Sequence, residues 1–276
     1  TVVQLPSGTV PSLLSDAGAR LRALAMTRVT STAIVTTGAT PTPAATTAPP
    51  TPSPAPQTPA AAVPAAPAAA PAPTAPDCAV TPCVALTFDD GPGTYTAALL
   101  DALAARGAPA TFFLVGRNIA KYPAVVAREV AEGHAVGNHT WDHAWLTKLS
   151  PEDVGAELDE TSAAIQAAAG VSTALVRPPY GAFDDASLAV LAARGDAAIC
   201  WSVDTEDWKN RDAAVTTQRA LEGAAPGAII LMHDIHESTL TAIPGIIDGL
   251  RAAGYTLVTV PQLLGTTAPG QAYRHR

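Results

Sequence analysis

Two adjacent carboxylates, Asp89 and Asp90, follow an apolar run from Val84 to Phe88 and precede a Gly91-Pro92-Gly93 turn. Side-by-side carboxylates repel each other unless a cation lies beside them, so the pair calls for a metal ion or an arginine. Further along, the chain holds both kinds of partner. His139 and His143 are spaced so that two imidazoles meet one metal if the segment turns helically. A zinc protease helix would carry a glutamate after the first histidine; Thr140 stands there instead. A general base must then come from elsewhere, and the member of the Asp89/Asp90 pair that the metal leaves free is the candidate. Arg177-Pro178-Pro179-Tyr180, Asp204 with Asp207-Trp208, and Leu231-Met232-His233 add an arginine, a phenol, more carboxylates, an indole and another imidazole. Taken singly, each has a plainer reading. Asp-Asp-Gly makes a polar turn, the histidines are unrelated, Arg177 is a surface cation held by prolines, and Trp208 is core.

What argues for a site is the elements that would position these residues. From residue 84 onward, apolar runs alternate with helical patterns. The strands are expected at Val84 to Phe88, Ala110 to Val115, Ala135 to Asn138, Ala174 to Arg177, Ala197 to Val203, Ala228 to Met232 and Thr256 to Val260. Helices are expected over Thr96 to Arg106, Val125 to Glu132, Pro151 to Ala169, Asp184 to Arg194, Ala213 to Ala225 and Leu240 to Ala253. Most of these end at a glycine suited to a helix C-cap. Continuous apolar strands alternating with helices imply a parallel sheet covered by helices, and seven such units close into a barrel. The expected fold is therefore α/β, a distorted seven-stranded (β/α) barrel. In such barrels the active site is built from the loops after the strand C-termini. Five of the seven predicted strand ends carry the residues named above. His134, His236 and His275 lie at no strand end and read as packing or surface residues.

Composition bounds the rest of the chain. Thirteen of its 26 prolines fall between Pro41 and Pro76, and no charged residue occurs between Arg28 and Asp77. Such a Pro/Ala/Thr tract cannot bury a core and reads as a linker over 41–76; at about 3.1 Å per residue it would reach on the order of 110 Å. Residues 1–40 form an N-terminal segment in which Leu13, Leu14, Ala17, Leu21 and Leu24 keep rough helical spacing, enough for one short amphipathic helix. The sequence starts at Thr1 and has no apolar stretch long enough to cross a bilayer, so a processed or trimmed product is expected. The first 76 residues carry three arginines and one aspartate, which leaves 13 basic and 23 acidic residues, a net charge of −10, on the remainder. That surface excludes nucleic acid and anionic membranes as partners and suits neutral substrates. Cys78 and Cys83 flank a Thr-Pro turn just before the first strand, spacing that suits a small disulfide, whereas Cys200 reads as a buried thiol.

Over roughly Cys83 to Leu264 the chain resembles the polysaccharide deacetylase family, carbohydrate esterase family four. The resemblance rests on five motifs present in order: Thr87-Phe88-Asp89-Asp90, His139-Thr140-x-x-His143, Arg177-Pro178-Pro179-Tyr180, Asp204-x-x-Asp207-Trp208 and Leu231-x-His233. It implies a catalytic domain over 77–265 followed by a tail, 266–276. It implies Asp89 as general base, and Asp90, His139 and His143 as ligands of a divalent metal, zinc above all, with cobalt or nickel as alternatives. Arg177 would orient the base, the Tyr180 main chain would hold the oxyanion, and His233, paired with Asp207, would act as general acid. Leu231 and Trp208, with Tyr180, would line the substrate pocket. The implied function is removal of N-acetyl groups from β-1,4-linked N-acetylglucosamine in peptidoglycan or chitin oligomers. O-deacetylation of acetylxylan is the alternative, and a non-catalytic cell-wall sugar-binding module the remote one. With its linker and cysteine pair, the chain is expected to be a secreted or cell-wall-associated monomer whose partner is a polysaccharide or oligosaccharide.

Overall fold

The structure, a computed structural model, describes residues 76–276. The N-terminal segment and nearly all of the linker lie outside those residues. Nine strands alternate with helices. In chain order they are β1 (Cys83–Asp89), α1 (Thr96–Ala104), β2 (Thr111–Leu114), α2 (Gly116–Ile119), α3 (Pro123–Ala131), β3 (Ala135–Asn138), α4 (Pro151–Ala169), β4 (Leu175–Val176) and α5 (Asp185–Arg194). There follow β5 (Ala197–Ile199), β6 (Val203–Asp204), α6 (Asp207–Asn210), α7 (Ala213–Gly223), β7 (Ile229–His233), α8 (Glu237–Ala252), β8 (Thr256–Val258), α9 (Val260–Leu264) and β9 (Ala272–Tyr273).

The helices start and stop where local chemistry dictates. Ser150 caps α4 by accepting from Asp153 N, with Pro151, Glu152 and Asp153 in the first turn, and Gly170 ends the helix in the left-handed conformation. Asp184 and Ser187 form a reciprocal capping box at the start of α5.

The strands pair in the order β6-β7-β1-β2-β3-β4-β5-β9, all in parallel, and β8 joins the N-terminal half of β1. Every residue of β1 is buried, as a central strand requires. Strand alternation then divides its side chains. Val84, Leu86 and Phe88 join a core that also holds Leu99 and Leu103 of α1 and Ile243, Ile247 and Leu250 of α8. Ala85 packs in a second cluster with Phe113, Ile199, Ile229 and Val258 inside the curl of the sheet. Thr87 and Asp89 share the inward parity of Ala85, so the strand that anchors the core also delivers a carboxylate to the barrel mouth.

The expected α/β barrel is present, with nine strands in place of seven. The run Ala197 to Val203 is two strands, β5 and β6: β6 lies at one edge of the sheet and β5 next to β9 at the other, with Cys200–Ser202 running between them. The break has a cause: Ile199 O and Cys200 O accept hydrogen bonds from the Arg177 guanidinium, both at 3.0 Å. The added strand is β9, from the segment read as a tail; it pairs with β5, and His275 bridges to Ala228 at the start of β7. Cys78 and Cys83 form a disulfide with Cα atoms 5.5 Å apart, and Cys200 is a buried free thiol. No helix among the described residues is long and apolar enough to cross a membrane.

Candidate active site

Register brings the strand-end residues together. Asp89 of β1 is paired directly with His233 of β7. On the other side, His139 N donates to Leu114 O at the end of β2, and Arg177 N donates to Asn138 O at the end of β3.

Arg177 is fully buried, and each of its three side-chain nitrogens donates. Nη1 donates to Asp89 Oδ1 and to Thr87 Oγ1, both at 2.7 Å, while Nε and Nη2 donate to the carbonyls of Ile199, the last residue of β5, and Cys200, the next. Its guanidinium carbon lies 4.0 Å from the centroid of the Phe113 ring. Inside a protein a charge needs such a full set of partners. The arginine therefore holds Asp89 in one place.

Asp90, His139 and His143 each offer one ligand atom, and these atoms lie within 4.8 Å of one another. His139 Nε2 is 3.5 Å and His143 Nε2 3.2 Å from Asp90 Oδ1, a buried oxygen with no hydrogen-bond partner. His139 Nδ1 sits 2.6 Å from the Arg177 carbonyl, which can only accept, so Nδ1 carries the proton and Nε2 is free to coordinate. Burial lowers the His143 pKa, with the charge of His139 adding to the effect, which favours the neutral imidazole a metal needs. Burial raises that of Asp90, but the surrounding imidazoles, His139 above all, then His233 and His143, outweigh it and hold the carboxyl well below the ordinary carboxylate range. An orphaned buried oxygen facing two available imidazole nitrogens is the donor set of a divalent cation.

On the opposite side of Asp89, His233 Nδ1 lies 2.8 Å from Asp207 Oδ1. The fully buried Asp207 is fixed further by His233 N and by Thr239 Oγ1, at 2.7 and 2.6 Å on its other oxygen. Burial opposes a charge on His233, but its hydrogen bond to Asp207, the charge of Asp207 and then those of Asp89 and Asp90 raise its pKa to about 9. With Nδ1 bonded to the carboxylate, Nε2–H faces the site as a donor. Trp208, half exposed, donates its main-chain N–H to Asp207 Oδ1, and the buried Leu231 accepts from Thr205 Oγ1 through its carbonyl. Tyr180 is 53% exposed, sits in the left-handed region at φ 61, and places its hydroxyl 3.1 Å from His143 Nδ1.

Three supporting residues had escaped the motif reading. Asp234, fully buried, bonds Thr96 Oγ1 and fills the space beside Gly91, where a Cβ would come within 2.2 Å of its Oδ2. Gly91 is thus required for the loop carrying Asp90 to fold over that carboxylate. Glu157 Oε2 accepts from Trp141 N and Asp142 N, at 2.8 and 3.1 Å, and clamps the turn between the two histidines. Trp145 stacks on Tyr180. The position of Asp234 directly after His233 at a strand end was a usable signal for it; Glu157 and Trp145 offered none.

Carboxylates, imidazoles and a buried arginine thus gather at the C-terminal ends of the parallel strands of an α/β barrel, the face on which such folds build their active sites. Comparison with known proteins gives the family. Residues 77–198 match the model of the polysaccharide deacetylase family, a span that contains the Asp89, His139 and Arg177 motifs. The chain is 43% identical over 183 residues to a peptidoglycan-N-acetylglucosamine deacetylase of Listeria monocytogenes, covering 66% of this chain and 39% of that protein. It is 36% identical over 203 residues to a chitooligosaccharide deacetylase of Bradyrhizobium sp., covering 68% of this chain and 93% of the relative. A deacetylase solved with its substrate superposes with a TM-score of 0.70 at 51% identity, over 72% of this chain and all of that one. This chain belongs to the polysaccharide deacetylase family, carbohydrate esterase family four. It spans about two fifths of the length of the Listeria relative.

Proposed function

We propose that the barrel hydrolyses N-acetyl groups from β-1,4-linked N-acetylglucosamine, in peptidoglycan or chitin oligomers, outside the cell or at its wall. The observation that carries this reading is the flanking of one buried carboxylate, Asp89, by three potential metal ligands on one side and a carboxylate-paired imidazole on the other. Asp90, His139 and His143 would hold a divalent cation, which when bound would polarise the acetyl carbonyl and make a water easier to deprotonate. Asp89, aimed by Arg177, takes the proton of the attacking water. The Tyr180 backbone N–H, which has no partner among the described residues, is available to the developing oxyanion. His233 gives its Nε2 proton to the departing sugar amine; at a pKa near 9 it holds that proton at neutral pH. Asp207 fixes its ring and its charge. Leu231 and Trp208 bound the space for the acetyl methyl.

A binding module would need no acid and no base, yet both are held here in buried hydrogen-bonded pairs. Acetate release measured side by side on chitin oligomers, peptidoglycan and acetylxylan tests the proposal. Release from the amide substrates is expected. Release confined to acetylxylan would assign an ester substrate, and none from any of the three would reduce the site to sugar binding.

A further inference from the structure

The two imidazoles facing Asp90 are supported very differently. His139 is buried and its Nδ1 is tied to a main-chain carbonyl of β4's end, so its orientation is inherited from the sheet. His143 has left-handed backbone at φ 67, and its Nδ1 meets only the hydroxyl of Tyr180. Tyr180 is itself half exposed and left-handed. Two rings meet its own: the His143 imidazole edge-on, with centroids 4.6 Å apart, and Trp145. The Trp145 and Tyr180 rings stack with centroids 4.1 Å apart and planes 17° from parallel. Trp145 is in turn held from its own side. Leu146, next in the chain, is buried with Val154, Leu158 and Val176, and Lys148 Nζ lies 4.4 Å from the indole centroid.

Resting on the metal reading above, we infer that Trp145 is a positioning residue: by stacking on Tyr180 it holds the phenol on His143 Nδ1 and so sets His143 Nε2 toward the cation. Groups that orient a metal-binding histidine through its other nitrogen typically contribute 10- to 100-fold in metal affinity. An aromatic stack adds only about 0.5–1.5 kcal/mol beyond its area burial, roughly a factor of 2 to 13, so the Trp145 effect should lie near the low end.

The test measures the dissociation constant for Zn2+ on the metal-free chain, by competition with a chromophoric chelator at one pH. The variants are Trp145→Ala, Trp145→Phe, Tyr180→Phe and the double variant Trp145→Ala with Tyr180→Phe; thermal melts of the metal-free proteins check that each is folded. Trp145→Ala and Tyr180→Phe are each expected to weaken Zn2+ binding roughly tenfold. The double variant should be no weaker than the weaker of the two singles, because both cut one relay, and Trp145→Phe should restore most of the affinity. The visible spectrum of bound Co2+ should change in the same variants, a readout that a merely structural tryptophan would not move. Wild-type Zn2+ affinity in folded Trp145→Ala would overturn the inference, including the case where that variant only raises KM for long oligomers, which would make the indole a sugar platform. Single effects that multiply in the double variant would overturn it too. A wild-type chain that takes up no Zn2+ would overturn the metal reading along with it.

Discussion

The two ends of the barrel make their sharp turns with different residues. At the floor, where helices return to the strands, the left-handed positions are glycines, such as Gly170 after α4 and Gly195 after α5. At the mouth only Gly181, beside Tyr180, is a glycine. All six non-glycine residues with positive φ among the described residues, Asp90, Thr140, His143, Tyr180, Glu206 and Arg211, lie in loops that follow strand C-termini. An L-residue in this conformation costs roughly 1–2 kcal/mol, a cost that glycine avoids. The floor needs only a change of direction, so glycine serves. The mouth needs a side chain at the turn itself: a carboxylate at Asp90, an imidazole at His143, and a hydroxyl at Thr140 that accepts from Ala144 N. Strain collects where function requires a particular side chain at a bend.

The largest expected effect at the mouth comes from Asp89→Asn. The substitution removes the proposed base while Asp90, His139 and His143 stay in place. Turnover should fall by roughly two to four decades with Zn2+ binding retained. Wild-type turnover in this variant would show that the base lies elsewhere. Because Arg177 would be left buried without its carboxylate, the melt should also drop, and breaking such a pair costs about 3–5 kcal/mol. No comparable penalty is expected from any single glycine substitution at the floor.

His233 gives a prediction in pH. Its folded pKa near 9 lies above the ordinary histidine value of 6.5, so its pairing stabilises the metal-free chain fully below pH 6.5, and that stability fades as the pH rises through 9. Melts of the metal-free wild type and Asp207→Asn, compared from pH 6 to 10, should therefore converge at the alkaline end. The Asp89 and Asp90 charges contribute to the elevation, so a cation that offsets them lowers it. NMR titration of His233 should give an apparent pKa that falls on adding Zn2+. An unchanged value would place the cation away from Asp90.

What the sequence disclosed and what it hid divide along the same physical line. β1 was legible because a continuous apolar run has one structural use in a parallel sheet, and its end at Asp89 followed from alternation. The strand-end residues were legible because catalytic types recur just past such runs. The break after Ile199 was not, since its cause is a guanidinium 22 residues earlier in the chain that occupies the carbonyl of the strand's last residue. β9 is two residues long and carries no periodicity. Trp145 and Glu157 act through a stacked ring and through main-chain N–H groups, which no spacing rule reports. The left-handed backbone at Tyr180 had no signal either, because its strain is compensated by contacts made in the folded mouth.

The smallest effects sharpen the contrast between floor and mouth most directly. Gly195→Ala meets nothing within 4 Å, so its only penalty is the left-handed backbone. It should cost about 1 kcal/mol and lower Tm by roughly 2–4 °C, with turnover unchanged. Arg211→Gly runs the other way. It relieves a residue at φ 52 but removes the Nε–H donated to Trp208 O at 2.7 Å and the contact with His236, whose ring lies 6.0 Å from that of His233. Tm should hold or rise while turnover falls, because the loop carrying Asp207 and Trp208 loses its brace. If Arg211→Gly instead lowers Tm as Gly195→Ala does and leaves turnover intact, the bend at Arg211 is ordinary loop geometry and the contrast reduces to the histidine and aspartate turns alone.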